Sequence, residues 1–224
     1  MPGDPAFPRR EATLLLLAAA LLTLVHYHGQ PAWLDALLGP RDTIFSWQAT
    51  NVVLLLGVPL LVIRLVLREP LSAFGLALGR PRVWARDAAL LAVALVPVAL
   101  LLAHFTPLGA GYPIYRPVLT NPWLWVPSTL GWGAYFFAWE FFFRGFLLFG
   151  LEKRLGALAI AVQTVPFVMA HYPKSEAESL AAIGGGVLFG WMALRGGSFL
   201  GVWLLHWLLA TAINVLGALQ QAGT

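Results

Sequence analysis

Trp139-Glu140-Phe141-Phe142-Phe143-Arg144-Gly145 sets a glutamate and an arginine four residues apart inside an apolar run that extends from Val126 to Leu151. Such a run is long enough to cross a bilayer, which takes about 20 mainly apolar helical residues. An ionisable side chain at bilayer depth costs roughly 2.5–3.5 kcal/mol on insertion scales, so it faces a protein interior or a water-filled cavity and marks a functional site. At i and i+4 the two charges also share a helix face. A buried ion pair that orders helix packing is therefore the plainer reading of the same residues.

The rest of the chain agrees with a membrane setting. With 59% hydrophobic and 11% charged residues over 224 positions, it has too little polar surface to cover a soluble globule. The absence of cysteine excludes disulfides and thiolate chemistry. Apolar windows near 12–28, 45–67, 88–105, 126–150, 157–172, 179–195 and 199–219 predict an all-α, polytopic bundle of about seven spans. The fifth and sixth windows are short and joined by a polar loop, so that pair reads either as two spans or as a re-entrant hairpin. Arg9 and Arg10 precede the first run as in a signal peptide. His26-Tyr27-His28 follows it where a small-residue cleavage site would stand, and the first span reads as uncleaved.

The net charge of +4 is explained by topology rather than by nucleic acid, because the basic residues lie between apolar spans and not in an aromatic-studded patch. With a cytoplasmic N-terminus, Arg9, Arg10, Arg64, Arg68, Arg80, Arg82, Arg86, Lys153, Arg154 and Arg195 fall inside. Only Arg41, Arg116 and Lys174 fall outside, with Arg144 within the membrane. That asymmetry predicts a cytoplasmic N-terminus and an exoplasmic C-terminus. Trp84, Trp123 and Trp125 near span ends suit interfacial belts. No internal repeat is visible, which argues against an inverted-repeat transporter.

Beyond Glu140 and Arg144, the later spans carry His171, ending Phe167-Val168-Met169-Ala170-His171, and His206 within Leu205-His206-Trp207. A glutamate and a histidine in a dry cavity can deprotonate water, and a second histidine can donate a hydrogen bond to an oxyanion. The bland alternatives are a headgroup contact for His171 and an interhelical hydrogen bond for His206. Two imidazoles and a carboxylate also form a donor set that suits zinc with an open position.

Glu-x-x-x-Arg-Gly, then Phe-x-x-x-His, then a histidine in the last span, in this order, resemble the CAAX-type protease and bacteriocin-processing family of intramembrane proteases. The resemblance covers Trp132 to Leu219. It divides the chain into an N-terminal transmembrane region, 1–122, without a recognisable motif, and a catalytic membrane core, 123–224. What it implies is peptide-bond hydrolysis without a covalent intermediate or a cofactor. By position, Glu140 and His171 would activate water, His206 would stabilise the oxyanion, and Arg144 would hold the glutamate helix by ion pairing or carbonyl contacts. The implied substrate is a membrane-associated protein or peptide, such as a C-terminal or lipidated segment. The implied location is a bacterial plasma membrane. Oligomeric state is not legible.

The chain departs from the family pattern twice. Trp139 stands where a first glutamate usually precedes Glu140, and Ala210 stands where asparagine or aspartate usually follows the last histidine by four residues. Asn214 lies eight residues after His206, about 12 Å along a helix axis, and cannot simply substitute. Glu178, in Ser175-Glu176-Ala177-Glu178, offers a second carboxylate near His171 or, more plainly, a capping box opening the sixth window. Gly186 and Gly190, extended by Gly184 and Gly185, read as a small-residue face for close helix packing. The two departures favour a rival function, a non-catalytic protein that holds a hydrophobic or lipidated peptide in the same cavity.

Overall fold

A computed structural model describes residues 9–38 and 43–222, and every regular element among them is helical. Arg41, counted above as exoplasmic, lies outside the described residues. The apolar windows become α1 (Arg9–His28), α3 (Ile44–Leu67), α4 (Pro81–Phe105), α5 (Pro122–Leu155), α6 (Leu158–Met169), α7 (Glu176–Gly196) and α8 (Leu200–Ala222). A short helix not foreseen from hydropathy, α2 (Ala32–Leu38), joins the first two. Six of these helices are long and apolar enough to span a membrane, and α6 is the short apolar one. The chain is an integral membrane protein. At 1.5 Å per residue α6 reaches about 18 Å, well under the ~30 Å hydrocarbon core.

One helix is the axis of the bundle. Within its span window α5 is 83% buried, while the other spans range from 6% to 33% and turn most of their surface outward. Sequence explains the difference, since Trp132, Phe136, Phe137, Phe141, Phe142 and Phe146 make α5 apolar on every side and such a helix goes to the centre. Its second half, Phe141–Phe149, is π-helical, a form that recurs at functional sites. A single core cluster joins Leu14, Leu55 and Phe74 to Phe141, Phe146 and Phe199, so both halves of the chain contribute to it.

The basic residues converge on one end of this bundle. Arg10 pairs with Glu69 at 2.6 Å, Lys153 approaches the same carboxylate at 3.6 Å, and Arg154 lies 3.8 Å from Glu11. Arg195 pairs with Asp87 at 3.2 Å, and the Arg80 backbone N–H donates to the Gly196 carbonyl. The ends of α1, α3, α4, α5 and α7 are tied together there. The Arg10 guanidinium, hydrogen-bonded to Glu69, holds its carboxyl below the usual range.

Close packing of α6 on α7 uses the expected small residues. A Cβ on Gly186 would stand 2.6 Å from Thr164 Cγ2, and one on Gly190 would stand 3.1 Å from Ile160 Cγ2. Gly184 and Gly185 face open space, so the tight face does not extend through them as expected. Gly186→Val should therefore lower thermal stability in detergent by about 1–3 kcal/mol, the range for overpacking. Thr164→Ala in the same chain should recover part of the loss. An unchanged unfolding temperature for Gly186→Val would contradict this packing.

Candidate active site

Glu140 sits on α5 roughly 20 Å above the arginine-bearing end, counted at 1.5 Å per residue back from Leu155. The short α6 ends at a similar height, which brings His171 to the depth of Glu140. Gly145 permits the local packing, since a Cβ there would meet the Phe74 carbonyl at 2.9 Å and the Phe141 ring at 2.8 Å. On the opposite side, α8 is clamped to α5 by two indole donors. Trp203 Nε1 donates to the Gly133 carbonyl at 2.8 Å and Trp207 Nε1 to the Thr129 carbonyl at 3.0 Å. Gly133 leaves room for Trp207, whose ring a Cβ would approach to 2.8 Å.

This clamp sets His206 against the glutamate. His206 Nδ1 lies 2.5 Å from Glu140 Oε1, and Arg144 Nη1 lies 2.9 Å from Glu140 Oε2. Glu140 and Arg144 are fully buried, and the His206 side chain is 16% exposed. The Arg144–Glu140 contact is an ion pair without hydrogen-bond alignment, because neither Glu140 Oε2 nor Arg144 Nη1 has a hydrogen-bond partner. Arg144 is held in other ways as well. Its guanidinium lies 4.1 Å from the Phe167 ring centre and 5.4 Å from that of Phe189, and Nη2 donates to the Gly185 carbonyl at 3.4 Å. Cation–π attraction of this kind strengthens when the cation is desolvated. Arg144 thus binds α5, α6 and α7 into one cluster.

The end of α6 fixes the ring of His171. Its backbone N–H donates to the Val168 carbonyl, tightening the last turn, and the Phe167 carbonyl takes the ring nitrogen Nδ1 at 2.7 Å. With the proton on Nδ1, the lone pair is left on Nε2. Trp139 packs edge-on against this ring at 5.7 Å and against Phe143 at 4.9 Å. The place where a first glutamate was expected is filled by an indole that is 7% exposed, and its Nε1–H is buried without a partner.

Glu140, Arg144, His171 and His206 therefore share one neighbourhood, but the direct partner of Glu140 is His206 rather than His171. Two supporting residues lie elsewhere. Glu178 takes up Tyr112 Oη at 3.4 Å and Lys174 at 3.8 Å, while its backbone N–H donates to Ser175 Oγ at 3.3 Å as the helix cap. Asn214 accepts from the Ile114 backbone N–H at 3.0 Å and donates to the Ala210 carbonyl, so it anchors a loop. Among the described residues no three His, Asp or Glu side chains converge to hold a metal ion, and both Glu140 oxygens are engaged by Arg144 and His206. The zinc set considered from sequence is not assembled by these residues. Sequence reading missed Phe167 and Phe189 as the cradle of Arg144. It also missed Ser179, which donates to the His171 carbonyl at 2.9 Å. Phe167 lay within the second motif, and nothing marked Phe189 or Ser179.

These observations define an integral membrane protein with a buried carboxylate, guanidinium and imidazole cluster on its central helices. Residues 121–212 match the family model described as type II CAAX prenyl endopeptidase, Rce1-like. That stretch runs from the head of α5 into α8, and the match agrees with the resemblance carried by the three motifs. It contains Glu140, Arg144, His171 and His206 and leaves Asn214 outside. No curated protein and no solved structure matches the chain.

The cluster predicts a specific pattern of stabilities. Arg144→Met leaves the Glu140 carboxylate buried beside one partner only and should cost about 3–5 kcal/mol, the range for breaking a buried pair. Adding Glu140→Gln should return most of that loss. Unfolding followed in micelles by near-UV circular dichroism would measure both, and simple additivity of the two losses would rule out direct coupling.

Proposed function

We propose that the protein is an intramembrane endopeptidase that cleaves a membrane-associated polypeptide with water activated beside Glu140 and His171. The observation that carries this reading is the Glu140–His206 contact of 2.5 Å at membrane depth, with His171 brought to the same height by the short α6. A buried carboxylate set between a guanidinium and an imidazole is a weak proton acceptor, because both of its oxygens are already engaged. The free lone pair nearby belongs to His171 Nε2. The geometry thus favours His171 as the group that takes the proton of the attacking water.

Under this scheme the water oxygen bonds to the scissile carbonyl carbon as its proton passes to His171 Nε2. Glu140 holds the His206 ring through Nδ1 and turns its far edge toward the developing oxyanion, which His206 stabilises. Collapse breaks the C–N bond, and His171 returns the proton to the leaving nitrogen. The products are a carboxylate and an amine, and no covalent enzyme intermediate forms. Arg144 holds the glutamate in place through their 2.9 Å ion pair. The substrate class follows from the setting: the cluster lies among apolar helices, so a chain already held at the bilayer is the substrate best placed to meet it. The resemblance further supports C-terminal or lipidated segments and a bacterial plasma membrane, and the asymmetry of basic residues supports a cytoplasmic N-terminus.

Glu140→Gln and His171→Ala should each abolish processing while the protein remains inserted and folded. Comparing the C-termini of membrane-associated proteins by mass spectrometry, in cells expressing wild type or either variant at equal levels, tests this. A substrate left uncleaved in both variants supports the endopeptidase. Identical termini in all three would move the function to peptide binding without hydrolysis. A reporter fused after Leu151 should be cytoplasmic, and an exoplasmic signal would reverse the orientation.

A further inference from the structure

At the arginine-bearing end, away from the Glu140 cluster, α3 closes on a recess of about 440 Å³ lined by Arg64, Leu65, Arg68, Glu69 and Pro70. That volume falls in the ~300–1,000 Å³ range of small-ligand sites. Arg64 and Arg68 are exposed, and among the described residues neither guanidinium has a hydrogen-bond or ion-pair partner. The one acid in the recess is already neutralised, since Glu69 is paired with Arg10 and approached by Lys153. The recess therefore presents two free cations and no free anion.

Two further features point to a lipid. Arg68 has φ 57° and ψ 35° and is the only non-glycine residue with positive φ among those described. A residue bearing a Cβ avoids that conformation, and such strained positions concentrate at binding sites. Directly along α3 from the recess, Leu61, Leu65 and Val66 are 59%, 68% and 63% exposed, forming an apolar strip on the outside of the bundle. We infer that this recess is a binding site for an anionic phospholipid, with the phosphodiester held by the forked donors of Arg64 and Arg68 and an acyl chain lying along Leu61 and Leu65. A headgroup there would brace the junction where Arg10 donates to the Gly150 carbonyl and joins α1 to α5.

The test uses the full chain, delipidated in neutral detergent and titrated separately with phosphatidylglycerol, phosphatidylcholine and inorganic phosphate, with bound species counted by native mass spectrometry. Wild type should retain phosphatidylglycerol roughly tenfold or more above phosphatidylcholine, as two arginines at an anionic headgroup imply. The Arg64→Gln/Arg68→Gln double variant should lose that preference. Arg82→Gln, which removes an exposed basic residue near the start of α4, should keep it. Equal retention of the two lipids, or a preference that survives the double variant, would overturn the site. A preference lost equally in Arg82→Gln would reduce it to general attraction by a basic face. Displacement of phosphatidylglycerol by inorganic phosphate would reassign the recess to free phosphate.

Discussion

The structure depends on holding the Glu140 carboxylate fully buried among apolar helices, away from bulk solvent. A buried ion costs several kcal/mol even after relaxation, and only partners with good geometry offset that cost. Here the partners are Arg144 on the next turn of α5 and His206 from α8, and the aromatic faces of Phe167 and Phe189 keep Arg144 in reach. Each demands a fixed helix rotation. The glycines at 133, 145 and 186 and the indole donors of Trp203 and Trp207 set those rotations.

The second constraint is the length of α6. A full span would carry its C-terminal histidine to the far surface, whereas twelve residues stop within the bilayer depth. The unfinished last turn then leaves the Phe167 carbonyl to be satisfied by the His171 ring, which fixes the tautomer through backbone geometry alone. Truncation of the helix and orientation of the His171 ring are one event.

The spans were legible because hydrophobic length is a one-dimensional property, and the basic end was legible because charge asymmetry is another. Glu140, Arg144, His171 and His206 stood out as polar groups in apolar runs. Which of them touch could not be read, since the choice of His206 over His171 as partner of Glu140 depends on the rotation of α8 about its own axis. That rotation is set by Trp203 and Trp207, which in sequence look like any lipid-facing tryptophans. Phe189 is a similar case, because an aromatic residue on a glycine-rich helix carries no sign that its face will meet a guanidinium. Glu178 and Asn214 are engaged outside the cluster: Glu178 joins the cap of α7 through its backbone N–H, as its Ser-x-x-Glu setting suggested, and Asn214 holds a loop N–H.

The two departures from the family pattern take on physical meaning in this arrangement. Trp139 occupies volume rather than offering charge, and it packs the His171 ring from one side while its own N–H stays buried and unpaired. A second carboxylate there would have added a like charge next to Glu140, which Arg144 alone would then have had to balance. With Trp139 in its place, the cluster carries one carboxylate, one guanidinium and two imidazoles, and the single Glu140 charge is matched by Arg144. Ala210 is equally consistent with this economy. His206 is oriented by Glu140 from the α5 side and needs no amide one turn further along α8 to hold it.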